Sequence, residues 1–327
     1  MATATQIKAL LASHGAGDEE RFRAVALQVA AAEARMGHQK FADELRDLVR
    51  TDRVKSEKSK LRQNVLSFST PSGEAADLLE LVSPSIKVAD LVLNPALRDR
   101  IDRILKEQQN LSRLKERGLR PRQRLLFTGP PGCGKTATAS ALASELGLSL
   151  FVVRLDSLLS RYLGESLSKL RLIFDAAEST RAVYLFDEFD SIGFTRDAVG
   201  DVGEMRRVLN AFLVFIEKMR SNSLVISATN YGQRLDKALF RRFDDLVEFG
   251  LPQPPEIRET VKRLLRNIDK EKTEWSRIEH AAEGLSFAEI TRACEESIKE
   301  MLIHALPKVT NKALVAALTE RRLHSNH

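Results

Sequence analysis

Two hydrophobic periods alternate along this chain, and their order predicts its architecture. Apolar runs of strand length occur at 125–127, 148–155, 182–186, 223–228 and 245–249, the first four followed by polar residues. Between them, apolar positions recur at helical spacing over 135–148, about 167–177 and about 204–219. Strands alternating with helices predict a parallel sheet with helices on both faces and a ligand at the carboxyl ends of the strands. Past Pro255 the strand signal stops, and helical patterns at 261–268, 275–282, 287–303 and 311–323 predict a compact all-α unit placed to lid the sheet.

The first fifty residues have a different texture. Ile7, Leu10 and Leu11, then Phe22, Ala26, Val29 and Ala34, then Phe41, Leu45 and Leu48 predict three short amphipathic helices, an adaptor unit or a plain structural cap. From Lys55 onward the apolar period lapses, and Ser-Phe-Ser-Thr-Pro-Ser-Gly clusters turn formers, which predicts a linker. The expected organisation is therefore a helical unit at 1–54, a linker at 55–87, an α/β domain at 88–252 and a helical lid at 253–327.

Composition narrows the setting. With 43% hydrophobic and 29% charged residues in 327, the chain is globular, and no apolar run approaches a membrane span, so no membrane insertion is expected. The start lacks a basic segment followed by an apolar one, and the two cysteines, Cys133 and Cys294, exclude a disulfide framework; a cytoplasmic location is expected. The formal charge is +6, and the segment 98–124, with ten Lys/Arg against four acids, equals that whole excess. Charge runs are mostly solvated faces, although this one also admits a nucleic-acid partner.

Chemistry concentrates at the strand ends. After the first apolar run comes Gly129-Pro130-Pro131-Gly132-Cys133-Gly134-Lys135-Thr136, then an Ala-rich helix. Glycines let successive amides converge on a polyphosphate at a positive helix end, Lys135 supplies a point charge, and the Thr136 hydroxyl is a ligand for Mg²⁺. Asp187 and Glu188 follow another strand, where a carboxylate holds metal and its neighbour polarises water. Asn230 ends the next strand with an amide able to meet the γ-phosphate. Arg241 and Arg242 carry guanidinium groups suited to transition-state phosphate charge, or else to surface pairing with Asp244 or Asp245.

In this order, Gly-Pro-Pro-Gly-Cys-Gly-Lys-Thr, Phe-Asp-Glu-Phe-Asp, Ser-Ala-Thr-Asn and Leu-Phe-Arg-Arg-Phe resemble the motifs of the AAA+ ATPases, over about 88–323. The resemblance is closer to the AAA subgroup that includes spastin, katanin and the membrane-bound AAA proteases. It implies an ATP and Mg²⁺ enzyme with a nucleotide-binding set of Gly129 through Ala137 plus Ala288, metal held by Thr136 and Asp187, and catalysis by Lys135, Glu188 and Asn230. It further implies a homo-oligomer, usually a hexamer, in which Arg241 and Arg242 reach the neighbour's site, and a pore loop at Tyr162 and Leu163 that grips a protein client. Two departures stand out: Phe287 replaces a glycine near the expected base pocket, and no His-Glu-x-x-His run provides a protease.

Three functions fit these residues. The first is an ATP-driven remodeller or unfoldase of proteins. The second is a nucleic-acid-linked motor or loader, against which stands the lack of a recognisable nucleic-acid module. The third is a switch whose ATP state gates a separate effector such as a protease.

Overall fold

The structure, a computed structural model, describes residues 74–158, 163–190, 202–231 and 240–325. The chain divides into units 1–67 and 68–327, and every described residue belongs to the second. The helical unit expected at 1–54 thus lies outside the described residues.

Six strands make one sheet: β1 Leu79–Val82, β2 Arg124–Thr128, β3 Leu150–Val153, β4 Val183–Phe186, β5 Leu224–Thr229 and β6 Asp245–Glu248. Their spatial order is β1-β3-β4-β5-β2-β6, with every pair parallel except β1 and β3. β1 corrects the expected linker at 55–87. A short helix, α1 (Glu74–Leu78), buries Ala75 and Leu78 against the sheet core, and β1 then pairs with β3 from Leu79 opposite Val153 to Val82 opposite Leu150. Four residues are too few to display a period, but an apolar pair at Leu78 and Leu79 is enough to cover a sheet edge.

Side chains along the strands alternate between two cores, as the pleat requires. Leu126, Tyr184, Phe186 and Val225 point to one face, under α6 (Leu163–Ser179) and α7 (Val202–Lys218). Phe212 of α7 meets Phe186 and Phe189 there at ring centroids of 5.0 and 4.7 Å. Leu125, Phe127, Leu185 and Ile226 point to the other face, under α2 (Pro95–Gln109) and α4 (Lys135–Leu146). Two smaller helices, α3 (Leu111–Glu116) and α5 (Leu155–Leu158), fill connections.

Beyond the sheet lie α8 (Pro254–Leu264), α9 (Trp275–Ala282), α10 (Phe287–Ile303) and α11 (Asn311–Ser325), whose Ile257, Val261, Ile278, Ile290 and Leu318 form a third core with Leu285 of the α9–α10 connection. The two prolines open α8, where missing amide hydrogens cost nothing. The fold is thus an α/β sheet between helices, followed by an all-α unit. No helix among the described residues is long and apolar enough to cross a membrane.

Part of the basic segment is spent on the fold itself. Arg100 donates to the Leu246 carbonyl at 2.5 Å and pairs with Asp245, which Arg122 also meets at 3.4 Å. Arg124 pairs with Asp244, whose other oxygen accepts from the amides of Gln123 and Arg124, each at 2.9 Å. Burial pushes the Asp244 carboxyl up, but these hydrogen bonds and the guanidinium charge outweigh it and hold it below the usual carboxylate value.

A depressed folded value means that the clamp's contribution is complete above the unfolded value, about 3.9, and fades as pH falls through and below it. Asp244→Ala is expected to cost roughly 2 kcal/mol at pH 7 in urea denaturation, and much less at pH 3. An equal penalty at both pH values would show that the ionised carboxylate is not what joins β2 to β6.

Candidate active site

From β2 the chain crosses β5 and β4 to enter β3, so β2 lies at the switch point of the sheet, with β5 and β6 beside it. Ligands bind in the crevice at such a point. The loop leaving β2 is shaped by close approach. The Phe249 amide donates to the Thr128 carbonyl at 2.7 Å, and a β-carbon at Gly129 (φ +146°) would lie 2.1 Å from the Phe249 carbonyl oxygen. Only glycine lets the strand beyond β6 pass this near.

The same loop ends at the amino end of α4. Gly134 caps that helix with no side chain, so its first-turn amides lack a side-chain partner and present a positive concavity. Lys135 is buried, and its ammonium donates to the carbonyls of Gly129 and Pro130 at 2.7 and 2.9 Å and to Asn230 Oδ1 at 2.8 Å. Burial pushes its pKa down, opposed by Cys133, Asp187 and Asp190. Three acceptors satisfy three protons, so the cation is held ready at the mouth of the loop.

Beside it, Thr136 Oγ1 donates to Asp187 Oδ2 at 2.5 Å, and Asp187 Oδ1 accepts the Glu188 amide at 2.9 Å. Glu188 is exposed and has φ +49°, a conformation that costs a residue with a side chain about 1–3 kcal/mol. Its neighbour Phe189 is buried and donates its amide to the Ala228 carbonyl at 2.8 Å, which fixes the turn. Sequence reasoning passed over Asp190, whose Oδ1 accepts the Asn230 amide at 3.3 Å and so joins the ends of β4 and β5. Its signal was present as the third carboxylate of Asp-Glu-Phe-Asp.

The helical unit reaches the loop directly. Ser286 caps α10, donating to Glu289 Oε2 at 2.9 Å, and this sets the Ala288 amide 3.2 Å from the Gly132 carbonyl. A β-carbon at Gly132 would stand 2.6 Å from Ser286 Oγ. Half-buried Phe287 lines a small cleft with Asn94, Leu97, Cys133, Phe249 and Leu251. Burial pushes the Cys133 thiol up, which leaves it protonated and unreactive.

Other expected residues fall elsewhere. Arg241 and Arg242 are exposed on the turn before β6, and Arg242 pairs with Glu217 of α7, not with Asp244 or Asp245, which other arginines occupy. Tyr162 lies outside the described residues. Leu163 is the first residue of α6, so the expected loop is shorter: Gly164 and Glu165 are helical, and Glu165 pairs with Lys169 at 2.6 Å.

No trio of potential metal-binding side chains exists among the described residues. The touching hydroxyl of Thr136 and carboxylate of Asp187 are instead the sparse, hard oxygen set that Mg²⁺ accepts when phosphate and water complete its shell.

Fold and site together define an α/β domain with a glycine-rich loop at the switch point of its sheet and an all-α unit that contacts that loop. The family described as ATPase family associated with various cellular activities (AAA) matches residues 125–251. An uncharacterised AAA family ATPase, y4kL, of Sinorhizobium fredii is 37% identical over 98% of this chain and 96% of its own length. This chain belongs to the AAA family of ATPases. It is also 31% identical to ATPase family gene 2 protein of Schizosaccharomyces pombe over 71% of the chain, but spans only 29% of that protein. The FIGL-1 AAA domain in complex with ADP superposes with a TM-score of 0.59 at 25% identity, over 74% of this chain and 86% of that one.

The two crowded glycines are expected to separate folding from binding. Gly129→Ala should lower stability on the order of 3 kcal/mol, because strand backbone must move, whereas Gly132→Ala should leave the sheet intact and weaken fluorescent ADP at least about tenfold by pushing α10 off the loop. Equal ADP affinity in Gly132→Ala and wild type would disconnect the lid from the nucleotide.

Proposed function

We propose that this chain hydrolyses ATP at a site completed by a neighbouring copy and uses the cycle to pull on a protein client. One observation carries the reading: Asp187 and Asn230, just past two different strands, contact Thr136 and Lys135 of α4 at 2.5 and 2.8 Å respectively.

Chemistry follows from what each group is free to do. The Lys135 ammonium exchanges loop carbonyls for phosphate oxygens, while the amides at the start of α4 receive the rest of the polyphosphate. Thr136 and Asp187 would hold Mg²⁺, which would neutralise charge on the outer phosphates. Glu188, turned outward by its positive φ, accepts the proton of an attacking water, and the Asn230 amide orients that water or the γ-phosphate. The cleft beside Phe287 receives the base, with Ala288 linking base and loop to the lid.

Arg241 and Arg242 lie on an exposed turn that supports contribution to another copy's site. A ring of six copies is a closed form of such a head-to-tail contact. Within it, Tyr162 and Leu163 grip an extended polypeptide, and the unit at 1–54 selects the client or effector. The ion pairs of Arg100, Arg122 and Arg124, three of the ten basic residues at 98–124, lower the charge left for a nucleic-acid partner and support this reading over a nucleic-acid loader.

Glu188→Gln is expected to lower ATP turnover by at least about a hundredfold, while ATP stays bound and light scattering reports a larger assembly. Hydrolysis at the unmodified rate would exclude Glu188 as the base. Tyr162→Ala should retain most ATPase activity and lose unfolding of a tagged fluorescent substrate; undiminished unfolding would exclude the pore-loop role.

A further inference from the structure

Phe287 combines a fixed backbone with a side chain that is free to turn. Glu289 accepts the Ser286 amide at 2.8 Å and the Ser286 hydroxyl at 2.9 Å, which locks the residue before it. The Ala288 amide rests on the Gly132 carbonyl at 3.2 Å, and the Phe287 carbonyl itself accepts the Thr291 hydroxyl at 2.8 Å. The ring is only half-buried and joins none of the three hydrophobic cores among the described residues.

The cleft that this ring lines is nearly full. About 30 Å³ stays free in it, room for roughly two waters, while sites that take small-molecule ligands measure on the order of 300 Å³ or more. Several of the other walls are fixed. Leu93, Leu97, Cys133 and Phe249 pack in the second core, and the Phe249 ring centroid lies 5.1 Å from that of Phe127. A close-packed core does not part to admit a planar base, but a half-buried ring in the first turn of a helix exchanges between staggered rotamers without disturbing its backbone. Ring and base therefore claim the same volume.

We infer that Phe287 sets how tightly nucleotide is held: its ring competes with the base for the cleft and swings outward when the base enters. The inference rests on the ATP site proposed above and deepens it. Grip on the nucleotide then falls mainly on the phosphates, through Lys135 and the amides at the start of α4, and the ring returning to the cleft shortens the stay of ADP. Product release limits turnover in many enzymes, so a side chain that loosens the base alone acts on that step and leaves the groups around the phosphates untouched.

Calorimetric titration of the full chain with ADP and, separately, with inorganic tripolyphosphate reads the two halves of the ligand. Phe287→Ala should tighten ADP at least about threefold, the factor that corresponds to no longer having to draw a half-buried phenyl ring out of apolar surroundings. Phe287→Trp, with its larger ring, should weaken ADP by a similar factor, and tripolyphosphate should bind all three proteins equally. Stopped-flow release of fluorescent ADP should be slower from Phe287→Ala than from wild type. Equal or weaker ADP binding by Phe287→Ala would overturn the inference, because the ring would then be inert or a platform on which the base stacks. An equal gain for tripolyphosphate would overturn it too, by moving the effect to the phosphates; both results leave the ATPase reading intact. A lack of ADP binding by wild type and Phe287→Ala alike would remove that reading and the inference with it.

Discussion

The buried ammonium of Lys135 is the constraint on which the rest of the site depends. A cation taken out of water is costly unless its protons are all received, and here Gly129, Pro130 and Asn230 receive them. That requirement dictates a loop tight enough to turn two carbonyls inward and a neighbouring strand followed at once by a side-chain amide. It also makes the site responsive, because phosphate oxygens compete for the same protons. The loop, β5 and any bound triphosphate therefore share one set of hydrogen bonds, and a change at the phosphate is felt at Asn230 and, through its amide, at Asp190.

Two further contacts carry that response outward. The Gly132 carbonyl takes the Ala288 amide, so the amino end of α10 leans on the phosphate loop itself. On the opposite side, Asp244 fastens the turn bearing Arg241 and Arg242 to the first residues of β2, the strand that ends in the loop. The helical unit thus touches the loop, and the arginine turn is fastened to the far end of the strand that feeds it. In a fold with close-packed cores, small shifts at such joints move whole elements because the packing does not deform gradually.

Much of this was legible in the residues. The strand, glycine loop and helix around Lys135, the acid pair after β4, and the helical unit after Pro255 follow from local composition and period, since each element is a property of neighbouring positions. What escaped were features made by distant partners. β1 exists because Leu79–Val82 finds β3 some seventy residues later, and nothing in Leu-Glu-Leu-Val announces it. Gly129 reads as a flexible loop residue, yet its role is to admit the Phe249 carbonyl. Leu163–Glu165 reads as loop because Gly164 interrupts the pattern, whereas α6 runs through it. The pairing of Arg242 with Glu217 spans two elements joined only through the core, so local charge favoured the adjacent aspartates instead.

The account stands on the claim that one chain's phosphate site is completed by an arginine from the next. The most direct measurement mixes equal amounts of a Glu188→Gln chain and an Arg241→Ala chain, each inactive alone, and follows ATP turnover. Random head-to-tail assembly gives about a quarter of the seams an intact glutamate facing an intact arginine, so turnover near that fraction of wild type is predicted. A mixture no more active than its two components would contradict the shared site.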